Sequence, residues 1–320
     1  MRASPQIEQT NRRPGDWRLR ACPLRLAPAV IRRSRLLRFA AALLLVGLAA
    51  SWGLGELLVR ATPSAVPAAT APAVDFRLAS TDGLPLAATY SPGRSPASPG
   101  VLLLHGNGAS RQAMAPTAAV LAAQGYATLA IDFRGHGQSA PAPHSFGLFE
   151  SRDAEAALRW IKARQHGAKV AVVGLSLGGA AALVGEHGPL PGDALVVEAV
   201  YPDIRHAIRN RIAAFTTAAP AALLEPLLSL QARPRFGVWP SRLSPLAAAR
   251  RHPGPVLVVG GGADRYTPPE ETRSLYAAFP GPKRLHFMAG RAHAGVGDIA
   301  DPAYRTALLS FLRATLGPMP

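Results

Sequence analysis

The stretch that decides the fold is V-A-V-V-G-L-S-L-G-G-A, residues 170–180. A hydrophobic, β-favouring run leads into Gly174, and Ser176 then stands among Gly174, Gly178 and Gly179 with little side-chain bulk around it. Small residues are needed where backbones crowd or φ must turn positive, so a tight strand-to-helix turn is expected here, lifting Ser176 into view. The spacing is G-x-S-x-G, with a strand pattern before it and the helix-forming A-A-A-L-V (180–184) after it, the context of a nucleophile elbow. An ordinary glycine-rich βα loop fits the same five residues, so the rest of the chain must discriminate.

Outward from this turn the pattern repeats. V-D-F-R-L-A-S (74–80) and L-P-L-A-A-T-Y (84–90) flank Asp82-Gly83, a hairpin signal. Apolar runs follow at 101–104, 126–131, 168–173, 194–200 and 256–259, with 284–288 last, as strands covered on both faces require. Helical patterns lie between them at 113–124, 150–165, 178–187, 270–279 and 301–315. In 150–165, Ala154, Ala157, Leu158 and Ile161 recur at helical spacing. Alternation of strand and helix implies an α/β domain with a doubly wound, mostly parallel sheet over residues 74–316. About fifty residues interrupt the rhythm between Val200 and Val256. Pro220, Glu225 and Pro226 argue against a membrane span in that interval, and a short helical lid at about 203–250 is the expectation.

A serine hydroxyl is a weak nucleophile at neutral pH. It needs a base, usually histidine, and that imidazole needs a carboxylate to fix its tautomer and orientation. In chain order after Ser176, Asp264 lies in G-G-G-A-D-R-Y-T-P-P just past one predicted strand, and His293 lies in M-A-G-R-A-H-A-G just past another. Catalytic groups of open α/β sheets gather at the carboxyl ends of strands, where all three candidates fall. Asp203 is the rival acid, and His105, His136 and His286 are the rival histidines, His286 being placed in mid-strand. An oxyanion needs preorganised donors. Leu177, directly after the serine, supplies one backbone N–H, and H-G-N-G (105–108) offers a second, assigned here to Asn107.

Together V-L-L-L-H-G-N-G, I-D-F-R-G-H-G-Q-S, V-V-G-L-S-L-G-G, G-G-A-D-R-Y-T-P-P and G-R-A-H resemble the α/β-hydrolase superfamily. S-F-G-L-F-E-S-R-D-A-E-A-A-L-R-W and K-R-L-H-F-M-A-G resemble its Bem46-like and serine-aminopeptidase-like branch. The resemblance implies Ser176 as nucleophile, His293 as base and then acid, and Asp264 as the orienting carboxylate, with no metal and no organic cofactor. The expected function is a serine hydrolase that cleaves a carboxylic ester with an apolar acyl group. A serine peptidase or aminopeptidase, with Glu198 or Glu225 as partners for a substrate amine, and a non-catalytic binding module on the same fold are the alternatives.

Phe39 to Gly55 carries no charge, and Leu57 to Val59 extend its apolar character, long enough to cross a bilayer core as a helix. The domain expectation is a basic segment at 1–38, a transmembrane anchor or uncleaved signal at 39–59 and a Pro/Ala linker at 60–73. Ten arginines precede the apolar run and Arg60 follows it, so a single pass with a cytoplasmic N-terminus and an extracytoplasmic catalytic domain is expected. A signal cut within A-V-P-A-A-T-A, releasing a secreted domain, and a buried helix are the competing readings. The formal charge is +16, but residues 1–60 hold eleven arginines against three acids, and no basic stripe interleaved with aromatics follows. A nucleic-acid partner is therefore not expected. Cys22, the sole cysteine, excludes an intrachain disulfide and a Cys-based zinc site. The expected partner is a small ester or amide substrate, with the membrane held through the helix.

Overall fold

The computed structural model describes residues 28–317; Cys22 and the arginines before Pro28 lie outside the described residues. The chain divides into two units, Met1–Gly47 and Leu48–Pro320. The described part of the first is helical, belonging to α1 (Pro28–Val59), and its residues 35–47 are exposed. Arg35–Val59 is long and apolar enough to cross a membrane.

In the second unit the strands are β1 (Thr62–Pro63), β2 (Val74–Ala79), β3 (Pro85–Ser91), β4 (Gly100–Leu104), β5 (Ala127–Ile131), β6 (His136–Gly137), β7 (Val170–Leu175), β8 (Ala194–Glu198), β9 (Val256–Gly261) and β10 (Lys283–Met288). Eight form one sheet in the order β10-β9-β8-β7-β4-β5-β3-β2, and β1 pairs in parallel with β6. All neighbours in the large sheet run parallel except at β3, which is antiparallel to both β2 and β5. The hairpin expected around Asp82-Gly83 is the β2–β3 pair, with Gly83 at φ 86°.

Burial follows position in the sheet. Every residue of β4, β5, β8 and β9 is buried, as continuous Val, Leu and Ala runs must be between two helical layers, whereas the edge strand β2 alternates exposed with half-buried residues. One face is covered by α3 (Glu150–Arg164), α4 (Leu177–Leu183) and α9 (Pro269–Ala278), whose Ala154, Ala157, Leu158, Ile161, Leu183 and Leu275 join one core cluster. The opposite face takes α2 (Ala115–Ala123) and α10 (Pro302–Leu316), through Leu121, Tyr304, Leu308, Phe311 and Leu312. Helix ends agree with local chemistry. Asp301 accepts from the N–H groups of Ala303 and Tyr304 with Pro302 as the next residue, and α3 opens on Glu150 and Asp153 and closes on Lys162 and Arg164.

Between β8 and β9 the chain leaves the sheet as α5 (Ile204–Phe215), α6 (Ala218–Ser229), α7 (Ala232–Phe236) and α8 (Pro245–Ala249). Pro226 lies inside α6, and Gly237, at φ 76°, ends α7 in the left-handed conformation. Residues 60–73 are fastened rather than free-running. Thr62 N–H donates to Gly135 O at 2.7 Å and Ser64 N–H to Gly137 O at 2.9 Å.

Candidate active site

After β4 the chain passes to β5 on one side and then returns to place β7 on the other, so the crevice between the carboxyl ends of β4 and β7 is the switch point of the sheet. Ser176 stands there, at the junction of β7 and α4, with φ 50° and ψ −106°. A non-glycine residue at positive φ is strained, and the surroundings hold it in place. Ser176 N–H donates to Glu198 O at 2.7 Å, fixing the turn to β8. The glycines are there for lack of room. A Cβ on Gly178 would lie 2.2 Å from Leu104 O, and one on Gly179 would lie 2.3 Å from Val200 Cγ2.

Asp264 and His293 reach this point from the ends of β9 and β10. Their loops are clamped together: Ala263 N–H donates to Arg291 O at 3.0 Å, and a Cβ on Gly261 would lie 2.4 Å from the same oxygen. His293 Nε2 is 3.2 Å from Ser176 Oγ, and His293 Nδ1 is 2.8 Å from Asp264 Oδ2. The acid is locked on its other side by Tyr266 N–H at 2.8 Å and Thr267 N–H at 3.0 Å, both to Oδ1, while the Thr267 hydroxyl donates to Oδ2. Burial pushes the Asp264 carboxyl up, but the hydrogen bonds from His293 and Thr267 outweigh it and leave the group below its ordinary value. Such a carboxylate holds Nδ1 protonated and presents Nε2 to the serine hydroxyl.

Asn107, Ser176 and Leu177 share the wall of one cavity of about 410 Å³, within the range of roughly 300–1,000 Å³ usual for small-molecule sites. As the first residue of α4, Leu177 has an N–H with no intrahelical carbonyl to take it. In the H-G-N-G turn, Gly108 N–H is taken by His136 Nε2 at 3.1 Å.

The rival residues are occupied elsewhere. Asp203 caps α5 by accepting from His206 N–H and meets His206 Nδ1 at 2.9 Å. His105 is fully buried and accepts from Phe133 N–H, and His136 stacks on His144 with ring centres 3.9 Å apart. His286 lies in β10 opposite Val259, in the mid-strand place expected of it. Glu198 is buried and takes the Tyr304 hydroxyl, while Glu225 is ion-paired with Arg205 at 3.0 Å and Arg209 at 3.5 Å. Neither lines the cavity. Among the described residues, no group of three or more His, Cys, Asp or Glu is arranged to hold a metal.

Sequence reasoning missed much of the cavity wall. Leu54 and Leu58 of α1, Phe146, Tyr201, and Ile208, Arg211, Ile212, Phe215 and Leu228 of the insertion line it with Tyr266. The aliphatic tone of the insertion signalled only the leucine and isoleucines among them that it contributes. Arg211 stacks on the Tyr266 ring at 5.2 Å, and Tyr266 meets the His293 ring edge-on at 5.4 Å.

A strained serine at the switch point, in line with a histidine and a buried aspartate on a mostly parallel sheet, defines a hydrolase fold of the α/β class. The model of the serine aminopeptidase S33 family matches residues 95–235. An uncharacterised protein of Mycobacterium tuberculosis is 32% identical over 239 residues, covering 72% of this chain and 78% of its own. The uncharacterised protein YqkD of Bacillus subtilis is 27% identical over 191 residues, covering 59% and 62%. Among solved structures, the Pyrococcus furiosus esterase Pf2001 superposes with a TM-score of 0.63 at 20% identity, over 81% of this chain and 99% of that one. The Pyrococcus horikoshii acylaminoacyl peptidase does so with a TM-score of 0.57 at 17% identity, over 76% and 41%. The chain belongs to the α/β-hydrolase superfamily of serine hydrolases.

Proposed function

We propose that the protein is a carboxylesterase acting on esters with an apolar acyl group, with Ser176 as nucleophile, His293 as general base and then acid, and Asp264 as the carboxylate that orients it. Ser176 Oγ attacks the ester carbonyl carbon as its proton passes to His293 Nε2. The N–H groups of Leu177 and Asn107 stabilise the oxyanion, each worth roughly 3 kcal/mol. Collapse of the tetrahedral intermediate breaks the bond to the alkoxy oxygen, which leaves with the proton from His293. A water molecule, deprotonated by the same imidazole, then attacks the acyl-enzyme, and the acid departs as Ser176 recovers its proton.

The observation that carries the ester reading is the lining of the cavity beside Ser176. It is aliphatic and aromatic, and Arg211 is the charged side chain on its wall. An aminopeptidase must bind a substrate ammonium, and an ammonium here would face a guanidinium and no carboxylate. The family model keeps a peptidase as the second reading. The helices over residues 204–249 act as the lid in this reading, and the arginine-flanked apolar helix as a single-pass anchor with the catalytic unit outside the cytoplasm.

Ser176→Ala should remove at least about 10³-fold of the turnover of p-nitrophenyl esters. The wild-type protein should label with a fluorophosphonate and prefer esters to aminoacyl anilides. Turnover that survives the substitution would end the mechanism, a preference for anilides would select the peptidase, and failure to label would select the binding module.

A further inference from the structure

We infer that the last turns of the apolar N-terminal helix are a working wall of the substrate pocket, with Leu54 and Leu58 setting the length of acyl chain accepted; this rests on the serine-hydrolase reading of the site. From the insertion, residues of α5 and α6 line the cavity, and α1 adds to the same wall: Leu54 and Leu58 face the same space as Ser176 and Asn107. Both side chains remain partly exposed, Leu54 at 49% and Leu58 at 36%, as the walls of an open cavity are.

The segment is built into the catalytic unit rather than resting on it. Gly55 is buried against the insertion, where the side chains of Gln231 and Arg235 take the space beside it, a Cβ there falling 2.0 Å from Gln231 Oε1. Gln231 Nε2 donates to Ser51 O at 3.0 Å, and Ser51 Oγ donates to Leu227 O at 2.9 Å. One turn on, Arg235 ties three groups of the helix at once. It pairs with Glu56 at 2.6 Å, donates to Trp52 O at 2.9 Å and lies 4.0 Å above the Trp52 ring. These polar contacts orient the helix so that Leu54 and Leu58, four residues apart on one face, point to the cavity. A wall held this rigidly selects by volume, since apolar pockets reject chains that overfill them.

The test uses the full-length chain in detergent and a series of p-nitrophenyl esters from acetate to decanoate, with active sites counted by a small fluorophosphonate so that only folded enzyme enters kcat/KM. In Leu58→Trp and Leu54→Trp the octanoate-to-acetate ratio of kcat/KM should fall about tenfold. Leu57→Trp, at a position 65% exposed and outside the cavity wall, should leave that ratio unchanged. If the tryptophan variants yield no labelled sites, Leu58→Ala decides, and its ratio should move toward longer chains. Ratios that match wild type in whichever variants label overturn the inference while leaving the Ser176 chemistry intact. Turnover that persists in Ser176→Ala overturns the underlying reading instead.

Discussion

At the scale of single residues, the site is a problem of orientation. In the proposed mechanism His293 acts only if Nδ1 carries the proton, and the Asp264 oxygen beside it would enforce that while the N–H groups of Tyr266 and Thr267 and the Thr267 hydroxyl hold the carboxylate still. Asp264→Asn keeps the shape and can donate to Nδ1, which favours the wrong tautomer. The expected result is a fall in kcat of about 10⁴-fold with KM little changed, the size such an exchange has in a serine protease. Steady-state kinetics on a short ester measures it, and a loss confined to KM would contradict the role. The convergence of Ser176, His293 and Asp264 was legible in the sequence because each sits just past a strand of unmistakable pattern and the chain order restricts the choice. Arg211, Tyr266 and the two leucines were not legible, since what brings them to Ser176 is packing between segments distant in the chain, and no local pattern encodes that.

At the scale of elements, the sheet was legible and the insertion only in outline. Strands buried on both faces leave a continuous apolar run, and turn signals bound them. The insertion has no such regularity. Its helices are short, Pro226 sits within one of them, and Glu225 reads as a surface acid although its side chain is fully buried against Arg205 and Arg209. The end of α1 was equally opaque, because an apolar helix looks the same in sequence whether its last turns meet lipid or protein. Arg235→Ala should expose the difference. The variant loses an ion pair, a hydrogen bond and a cation–π contact to the helix, together about 1–3 kcal/mol. Hydrogen exchange should accelerate in residues 51–59 and 227–235 while the sheet stays protected. Unchanged exchange in 51–59 would mean that Arg235 does not hold the helix.

At the scale of the whole molecule, buried ionisable groups set opposing limits on stability. Burial and the neighbouring imidazoles push His105 down to about 3, and burial with the charge of His136 pushes His144 down to about 4, from an ordinary 6.5. Below pH 6.5 the unfolded chain takes up protons that the folded one refuses, so stability drops as pH falls from 6.5 toward those values. Glu198 acts with the opposite sign. Burial raises it from 4.5 to about 7 against the lowering effect of the Tyr304 hydroxyl. The folded state therefore binds the extra proton, and the stability it brings is complete below pH 4.5 and lost as pH rises to about 7. The expected curve rises through the histidine window and peaks near pH 6.5. Glu198→Gln keeps an acceptor for Tyr304 and removes only the alkaline loss. Urea unfolding should find it more stable than wild type by on the order of 2–3 kcal/mol at pH 8 and equal to it at pH 4.5. Equality at both pH values would show that Glu198 does not carry the effect.

The chain that emerges from α1 is caught at once, Val59 O by His144 N–H at 2.8 Å, then Thr62 by Gly135 and Ser64 by Gly137. Three grips within six residues remove the slack a tether would need. In the proposed esterase the mouth of the pocket therefore keeps one bearing on residues 48–59, the part of the helix that belongs to the same unit, and substrate must reach it by diffusion.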